Sequence, residues 1–215
     1  MDDLPITAAG REISDGLDRI RRYCGMAWSG GPPETWAWPY YDAIPSRDPA
    51  RVDPVDVLCA AALHPGLARR DLAFFRESAA DIESWLSGLP AGLRLWEISD
   101  AEVNHVVRLP ESIRGASVSL VSKVLHRKRP ELIPLIDRHI IDWYRPVTGK
   151  RAGAEAWEPL VRSMRDDQMD DAWRLLMAMA LMPVEEELWP GIDLDERLRL
   201  SWIRAVDIAI WMGSR

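Results

Sequence analysis

The sequence has few of the residues from which metal, redox and disulfide sites are built. It contains 2 Cys and 4 His in 215 residues, and it has no CxxC pair and no HExxH run. Cys24 and Cys59 stand far apart in the chain, which indicates neither a disulfide framework nor a thiolate metal site. We therefore expect no metal, no cofactor and a reducing, cytoplasmic environment.

Other signals of well-defined function classes are also missing. The chain has no GxxxxGK[ST] or GxGxxG phosphate loop and no nucleophile elbow around a serine. The longest apolar runs, Leu175 to Val184 and Ile208 to Met212, are too short to cross a bilayer, and the first ten residues do not have the pattern of a signal peptide. The sequence predicts no membrane partner, and it leaves open whether the protein is an enzyme.

What is present is helix-forming sequence divided by prolines. Asp53-Pro54 combines an N-cap with a first-turn proline, and Ser99 with Glu102 forms a capping box. No segment shows clean two-residue alternation or a strand-turn-strand signature. We predict an all-α, compact multi-helix domain over residues 1–215 with eight to ten helices. The predicted helices include 14–23, 54–63, 69–77, 79–87, 116–128, 137–145, 153–165, 168–182 and 194–212.

Residues 24–52 are rich in aromatic side chains and contain five prolines. Such a segment cannot form a long helix or a central strand, so we expect a loop pinned onto the body of the protein. Trp36, Trp38 and Tyr41 are its candidate ligand-pocket residues, if the loop closes over a ligand. The alternative is that these rings are simply large core residues.

Positive charge is concentrated in the middle of an acidic chain. The net charge is −7, yet residues 108–151 hold 10 Lys and Arg against 4 Asp and Glu. A cluster of basic side chains beside a helix N-terminus would complement an anion such as phosphate. The alternative is a solvated cationic helix end, which the helix dipole favours. The candidate anion-binding residues are Lys123, His126, Arg127, Arg129 and Arg138.

Asp137 opens the second helix of this basic segment. An aspartate there is either a plain N-cap or a carboxylate that acts as a base or stabilises a developing cation. We take Asp137 as the candidate catalytic carboxylate, together with His139 two residues further on.

Three blocks of the chain resemble an uncharacterised bacterial family of unknown function. They are SKVLHRKRPELIPLIDRHI, an upstream DPVDVLCAAAL and a C-terminal LRLSWIRAVDIAIWM, and they stand here in the family's order. The resemblance covers most of residues 40–212. It implies no activity.

A second resemblance covers residues 109–145. Leu109-Pro110, a turn, a helix and then IPLIDRHII are similar to the core of helix-hairpin-helix DNA glycosylases, where an LPGVGxKTA hairpin precedes a helix and VDTHV supplies the catalytic aspartate. The resemblance implies a glycosylase-like fold with Asp137 and His139 at the matching positions. Two features depart from the pattern: residues 111–115 lack the glycine pair, and Lys123 lies too far along its helix to match the lysine nucleophile.

These observations support three hypotheses. The first is a nucleic-acid- or nucleotide-directed protein with a basic phosphate-binding corner, acting on an N-glycosidic bond through Asp137. The second is a small-molecule enzyme or binding protein that reuses the glycosylase-like fold and closes its Trp-rich loop over the ligand. The third is an interaction module of a toxin or defence pair.

Overall fold

The computed structural model describes residues 5–34, 36–63, 66–108, 117–151, 153–188 and 200–213. This part of the chain is mostly helical, with ten α-helices and a single two-stranded sheet. The helical class predicted from the sequence is therefore correct. Residues 111–115, compared above with the glycosylase hairpin, and the start of the helix predicted over 194–212 lie outside the described residues.

The sheet is an N-terminal hairpin of β1 (Ile6–Ala8) and β2 (Arg11–Ile13), paired antiparallel. The expectation of no strand-turn-strand unit is wrong here. Ala9 and Gly10 both have positive φ, as a two-residue type I′ turn requires, but the strands are too short for alternation to be visible in the sequence. Tertiary contacts stabilise the hairpin, since Trp143 Nε1 donates to the Ala8 carbonyl at 3.1 Å.

Five helices precede the basic segment. Two of their predicted starts are confirmed: the Asp53 carboxylate accepts from the Val55 N–H at 2.7 Å, and Ser99 forms a reciprocal capping box with Glu102. The helix predicted over 54–63 changes to a 3-10 turn after Ala60. These helices are α1 (Gly16–Tyr23), α2 (Pro54–Ala60), α3 (Arg69–Glu77), α4 (Ala79–Ser87) and α5 (Asp100–Val107).

The other five helices are α6 (Val118–Lys128), α7 (Arg138–Thr148), α8 (Gly153–Met169), α9 (Asp171–Leu188) and α10 (Trp202–Met212). We expected α7 to close at Pro146, but it continues for two more residues to a left-handed Gly149. A proline in the last turn costs one backbone hydrogen bond and is tolerated there. Helices α8 and α9 likewise run through Pro159 and Pro183.

Helix α10 lies at the centre of the core. The sequence predicted one apolar stripe, yet the described residues from Ile203 to Ile210 are all buried. A helix buried on all sides is surrounded by its neighbours, and α1 packs along it. The one hydrophobic core also takes buried residues from the hairpin and from the other helices.

Residues 24–52, here called the aromatic loop, contain no regular element among their described residues except a 3-10 turn at Trp38–Tyr40. The prediction of a loop is confirmed.

Among the described helices, none is long and apolar enough to cross a membrane.

Candidate functional site

The basic end of α6 lies inside the protein. Lys123, Lys128 and Arg129 are 2%, 2% and 5% exposed, and His126 and Arg127 are also buried. A buried cation costs several kcal/mol unless it is paired and hydrogen-bonded. The partners inside the chain therefore decide what these side chains do.

Asp56 on α2 is the carboxylate partner of two of them. Arg127 Nε lies 3.2 Å from Asp56 Oδ1, and Lys128 Nζ contacts the other carboxylate oxygen. Asp56 Oδ2 also accepts from the Asp53 N–H at 3.1 Å, which closes the capping box of α2. This buried ion pair joins α2 to α6.

Both cations also donate hydrogen bonds to the aromatic loop. Arg127 donates to the Tyr41 carbonyl at 2.5 Å and to the Ile44 carbonyl at 3.0 Å. Lys128 donates to the Asp48 carbonyl at 3.0 Å. A loop held by charge-assisted hydrogen bonds from a buried helix is a fixed part of the fold, and these contacts do not favour its movement as a lid.

Arg129 links the same loop to the end of α4. It donates to the Pro49 carbonyl at 2.5 Å and to the Leu86 and Leu89 carbonyls at 3.1 and 2.8 Å. A cation at a helix C-terminus satisfies carbonyls that lack an intrahelical partner. Arg127 and Arg129 thus sit neither on a solvated helix end nor on an open anion-binding surface, because main-chain carbonyls and Asp56 already take their donors.

A second buried ionic cluster lies on α10. Arg204 Nε donates to Asp42 Oδ1 at 2.8 Å, Arg204 Nη1 contacts Asp207, and Arg204 Nη2 donates to the Tyr23 hydroxyl at 2.6 Å. Burial raises the pKa of Asp207 to about 7, and the Arg204 guanidinium opposes that rise. The cluster ties α1, the aromatic loop and α10 together.

A small cavity of about 90 Å³ lies between the two ionic clusters. Ligand sites usually measure roughly 300 to 1,000 Å³, so this space suits a few waters rather than a nucleotide. Burial lowers the pKa of His126 to about 4, and its Nδ1 lies 2.6 Å from the Ile133 carbonyl, which requires a proton on that nitrogen. The lining residues include Trp38, Tyr41, Asp42, His126, Arg127 and Arg204.

Trp36 belongs to a different cavity, of about 200 Å³, whose wall also includes Trp38. It packs edge-on against Trp211, with ring centroids 5.7 Å apart, and its Nε1 donates to Glu34 at 3.1 Å. Tyr41 is buried, and its hydroxyl donates to the Lys123 carbonyl at 2.7 Å. The three predicted ligand-pocket residues therefore line two small spaces rather than one shared pocket.

A larger cleft, of about 590 Å³, opens where the N-termini of α6 and α7 meet. Its volume falls in the range of small-molecule sites. We call it the α6–α7 cleft. Its lining residues are Ser117, Val118, Ser119, Ile136, Asp137, Arg138, Ile141, Asp142, Arg145, Arg151 and Ala154.

Asp137 lines this cleft as the N-cap of α7. Its Oδ1 accepts from the His139 and Ile140 N–H groups at 2.9 and 3.2 Å, which fixes the orientation of the carboxylate. Oδ2 takes no hydrogen bond from the part of the chain that the structure describes. Asp137 therefore acts as an N-cap through Oδ1, while Oδ2 is left without a described hydrogen-bond donor. His139 is half-buried and does not line the cleft.

Three arginines line the same cleft. The Arg138 side chain is 90% exposed, with its Nε 3.7 Å from Asp142, and Arg145 also pairs with Asp142. Arg145 Nε is buried and has no hydrogen-bond partner among the described residues. Arg151 is exposed. Of the five predicted anion-binding residues, only Arg138 lines this cleft.

A family model described as a family of unknown function, DUF6308, matches residues 17–214. The chain belongs to this family. No curated protein and no solved structure matches the chain. The match to DUF6308 confirms the resemblance to an uncharacterised family. The family is one of unknown function, so membership implies no activity.

Lys123 connects the buried clusters to the cleft. Its Nζ donates to Ser119 Oγ at 2.8 Å and to the Ser119 carbonyl at 3.3 Å, one helical turn earlier. Burial lowers the pKa of Lys123, while the charges of Asp137 and Asp207 raise it and that of Arg204 lowers it. Lys123 therefore faces a serine rather than bulk solvent.

Sequence reasoning missed Ser119, Asp56, Arg204 and Asp207. A signal existed for each, because an Asp in the apolar helix α2 and an Arg and Asp three apart in the apolar helix α10 indicate buried ion pairs. Ser119 and Lys123, four apart on a helix, share a face. Which charged residues pair across the core is a property of the tertiary fold.

Proposed function

We propose that the α6–α7 cleft binds a phosphorylated nucleoside, as a free nucleotide or at the end of a nucleic acid, with Asp137 beside the N-glycosidic bond. The observation that carries the proposal is a carboxylate, oriented by two backbone N–H groups, in one cleft with three arginines. Guanidinium groups bind phosphate oxygens by paired hydrogen bonds. We assign the phosphate contacts to Arg138, Arg145 and Arg151.

The charge of the cleft favours a ligand with few phosphates. Three arginines stand against the carboxylates of Asp137 and Asp142, and Asp142 already pairs with two of the arginines. The chain as a whole is at −7, which repels an extended polyanion. A mononucleotide or a strand end therefore fits better than a long duplex.

The reaction proposed for Asp137 is cleavage of the bond between sugar and base. As the base departs, positive charge develops on the sugar, and a fixed carboxylate stabilises that charge or takes a proton from the attacking water. The likeness of IDRHI to the VDTHV segment of helix-hairpin-helix DNA glycosylases supports the same role, and a glycosylase-like arrangement of α6 and α7 is part of this proposal.

The small-molecule alternative under the Trp-rich loop has less support. The two cavities beside that loop measure about 90 and 200 Å³, and buried cations of α6 hold the loop in place. An aromatic ligand of ordinary size would have to displace those contacts.

Binding is tested by fluorescence anisotropy with labelled mononucleotides and short single-stranded DNA across a range of salt concentrations. If three phosphates are neutralised, log Kd changes with log salt with a slope of about 2. Arg138→Ala weakens binding about tenfold because it removes a charge-assisted contact.

Arg70→Ala is the matched control for Arg138→Ala. Arg70 is 87% exposed beside Asp71 on α3, outside the cleft, and it resembles Arg138 in exposure and in its weak acidic partner. The control should bind like the wild type. Equal losses in the two variants, or no binding at low salt, would contradict the proposal.

Catalysis is tested with Asp137→Asn, because asparagine keeps the N-cap and removes the carboxylate charge. We expect nucleotide binding to stay within about twofold and release of free base, followed by chromatography, to fall about 100-fold or more. A variant that releases base at the wild-type rate would exclude Asp137 as the catalytic carboxylate.

A further inference from the structure

The pair formed by Ser119 and Lys123 is not used by the proposed glycosidic reaction. Ser119 is half-buried and lines the α6–α7 cleft, and Lys123 is 2% exposed behind it. Lys123 Nζ lies 2.8 Å from Ser119 Oγ, within the distance over which a proton is transferred between a nucleophile and its base.

The surroundings of Lys123 favour its neutral form more than water does. Desolvation lowers its pKa, with a further lowering by Arg204 on α10, while Asp137 at the start of α7 and Asp207 on α10 act in the opposite direction. A lysine must be neutral to accept a proton, and burial is how proteins bring this about.

Ser119 lies at the start of α6, where backbone N–H groups can stabilise a negative charge. Ser119 is the second residue of an eleven-residue helix. The Leu120 N–H already donates to the Ser117 carbonyl at 3.0 Å, which leaves the Val118 and Ser119 N–H groups without an acceptor among the described residues. Such groups stabilise an oxyanion that forms beside the helix N-terminus. The nucleophile, its base and these donors thus come from a single helical segment.

We propose that Ser119 is a nucleophile activated by Lys123, and that the α6–α7 cleft accepts a carboxylic ester that bears an anionic group. Ser119 Oγ attacks the ester carbon as its proton passes to Lys123 Nζ. The tetrahedral oxyanion collapses, the C–O bond to the alcohol breaks, and the alcohol leaves with the proton from Lys123. Water, deprotonated by Lys123, then cleaves the acyl-serine to release the acid and restore Ser119.

The ester class follows from the groups around the pair. A serine oxygen with an amine base performs acyl transfer without a further reactant, and Arg138 and Arg151 in the same cleft would hold an anionic group of the substrate. The proposal goes beyond nucleotide binding and does not rest on it, because covalent labelling of Ser119 is measured without any nucleotide.

The test is covalent labelling of the full chain by a fluorophosphonate probe, with the modified residue located by peptide mass spectrometry. We expect a single adduct on Ser119, loss of labelling in Ser119→Ala, and labelling at least about 100-fold slower in Lys123→Met and Lys123→Arg. Arginine keeps the positive charge but cannot act as the base, which separates proton transfer from simple electrostatics.

Ser87→Ala is the matched control, since Ser87 is an exposed serine of α4, outside the cleft, whose hydroxyl donates to the Ser84 carbonyl at 2.6 Å. It should label at the wild-type rate. An adduct on another residue, no adduct at all, or equal rates in wild type and Lys123→Arg would overturn the proposal.

The Lys123 variants could lose their fold, so the wild-type rate is also measured against pH. It should rise as Lys123 loses its proton, below the ordinary lysine pKa, and Asp207→Asn should move the rise to lower pH because it removes a carboxylate that raises the pKa of Lys123. A rate that does not depend on pH would overturn the assignment of Lys123 as the base. Nucleotide binding is measured separately in the anisotropy assay, so failure of the Ser119 proposal and failure of the nucleotide proposal are distinguishable.

Discussion

Replacing Asp56 by asparagine should destabilise the protein more than any surface charge change. The substitution keeps the shape and the capping geometry of α2 but leaves Arg127 and Lys128, whose side chains are 4% and 0% exposed, without their carboxylate. Leaving a buried charge unpaired costs about 3 to 5 kcal/mol. At roughly 2 to 4 °C per kcal/mol for a domain of this size, Tm should fall by about 6 to 20 °C.

The assay is urea unfolding followed by tryptophan fluorescence, with Tm from circular dichroism. Asp71→Asn is the matched control, because Asp71, at the same third position of α3, accepts from the Ala68 N–H at 2.7 Å but pairs only with an exposed arginine. It should cost less than about 1 kcal/mol. Adding Lys128→Met to Asp56→Asn should recover part of the loss. Equal losses for Asp56→Asn and Asp71→Asn would refute the reasoning that the buried charge is the cause.

The other predictions concern pH and a helix cap. The pKa of His126 is about 4 in the fold and about 6.5 when unfolded, so the unfolded state binds more protons between these values. The free energy of unfolding therefore decreases as pH falls from 6.5 to 4, by up to about 3 kcal/mol. Asp207, with a pKa of about 7 in the fold against an ordinary 3.8, acts in the opposite direction and loses stability as pH rises from about 4 to 7. In urea titrations at pH 4.5 and 7.5, the stability of His126→Gln relative to the wild type should therefore be higher at pH 4.5, and that of Asp207→Asn should be higher at pH 7.5. The same pH dependence in both variants would contradict these signs. Asp137→Ala should cost about 1 to 2 kcal/mol through loss of the N-cap, whereas Asp137→Asn should cost a few tenths, and equal losses would show that capping is not the cause.

The basic segment shows where local reading of the sequence stops. The sequence correctly placed a helix with its cationic end at Arg127 to Arg129, and both interpretations then assumed that those charges face water or a ligand. The structure buries them because Asp56, about 70 residues earlier, and the carbonyls of the aromatic loop supply their partners. No local pattern reports a partner at that separation.

Asp137 marks the opposite case. Its helix-opening position and the IPLIDRHI pattern are local, so both its capping role and its candidacy as a catalytic carboxylate could be read from the chain. The sequence did not predict which side chains surround Asp137. Arg145 and Arg151 line the same cleft, whereas Lys123 lies inside the protein and donates to Ser119. Side chains several turns apart meet only after the helices pack.

The sequence by itself determined the helical class, most helix positions and the caps of α2, α5 and α7, because these depend on apolar spacing and on groups within one turn of each other. Only the tertiary structure decided which charges are buried, which cavities are large enough for a ligand and which serine a lysine meets. Those outcomes depend on desolvation and on contacts between residues distant in the chain, and neither is set by local sequence.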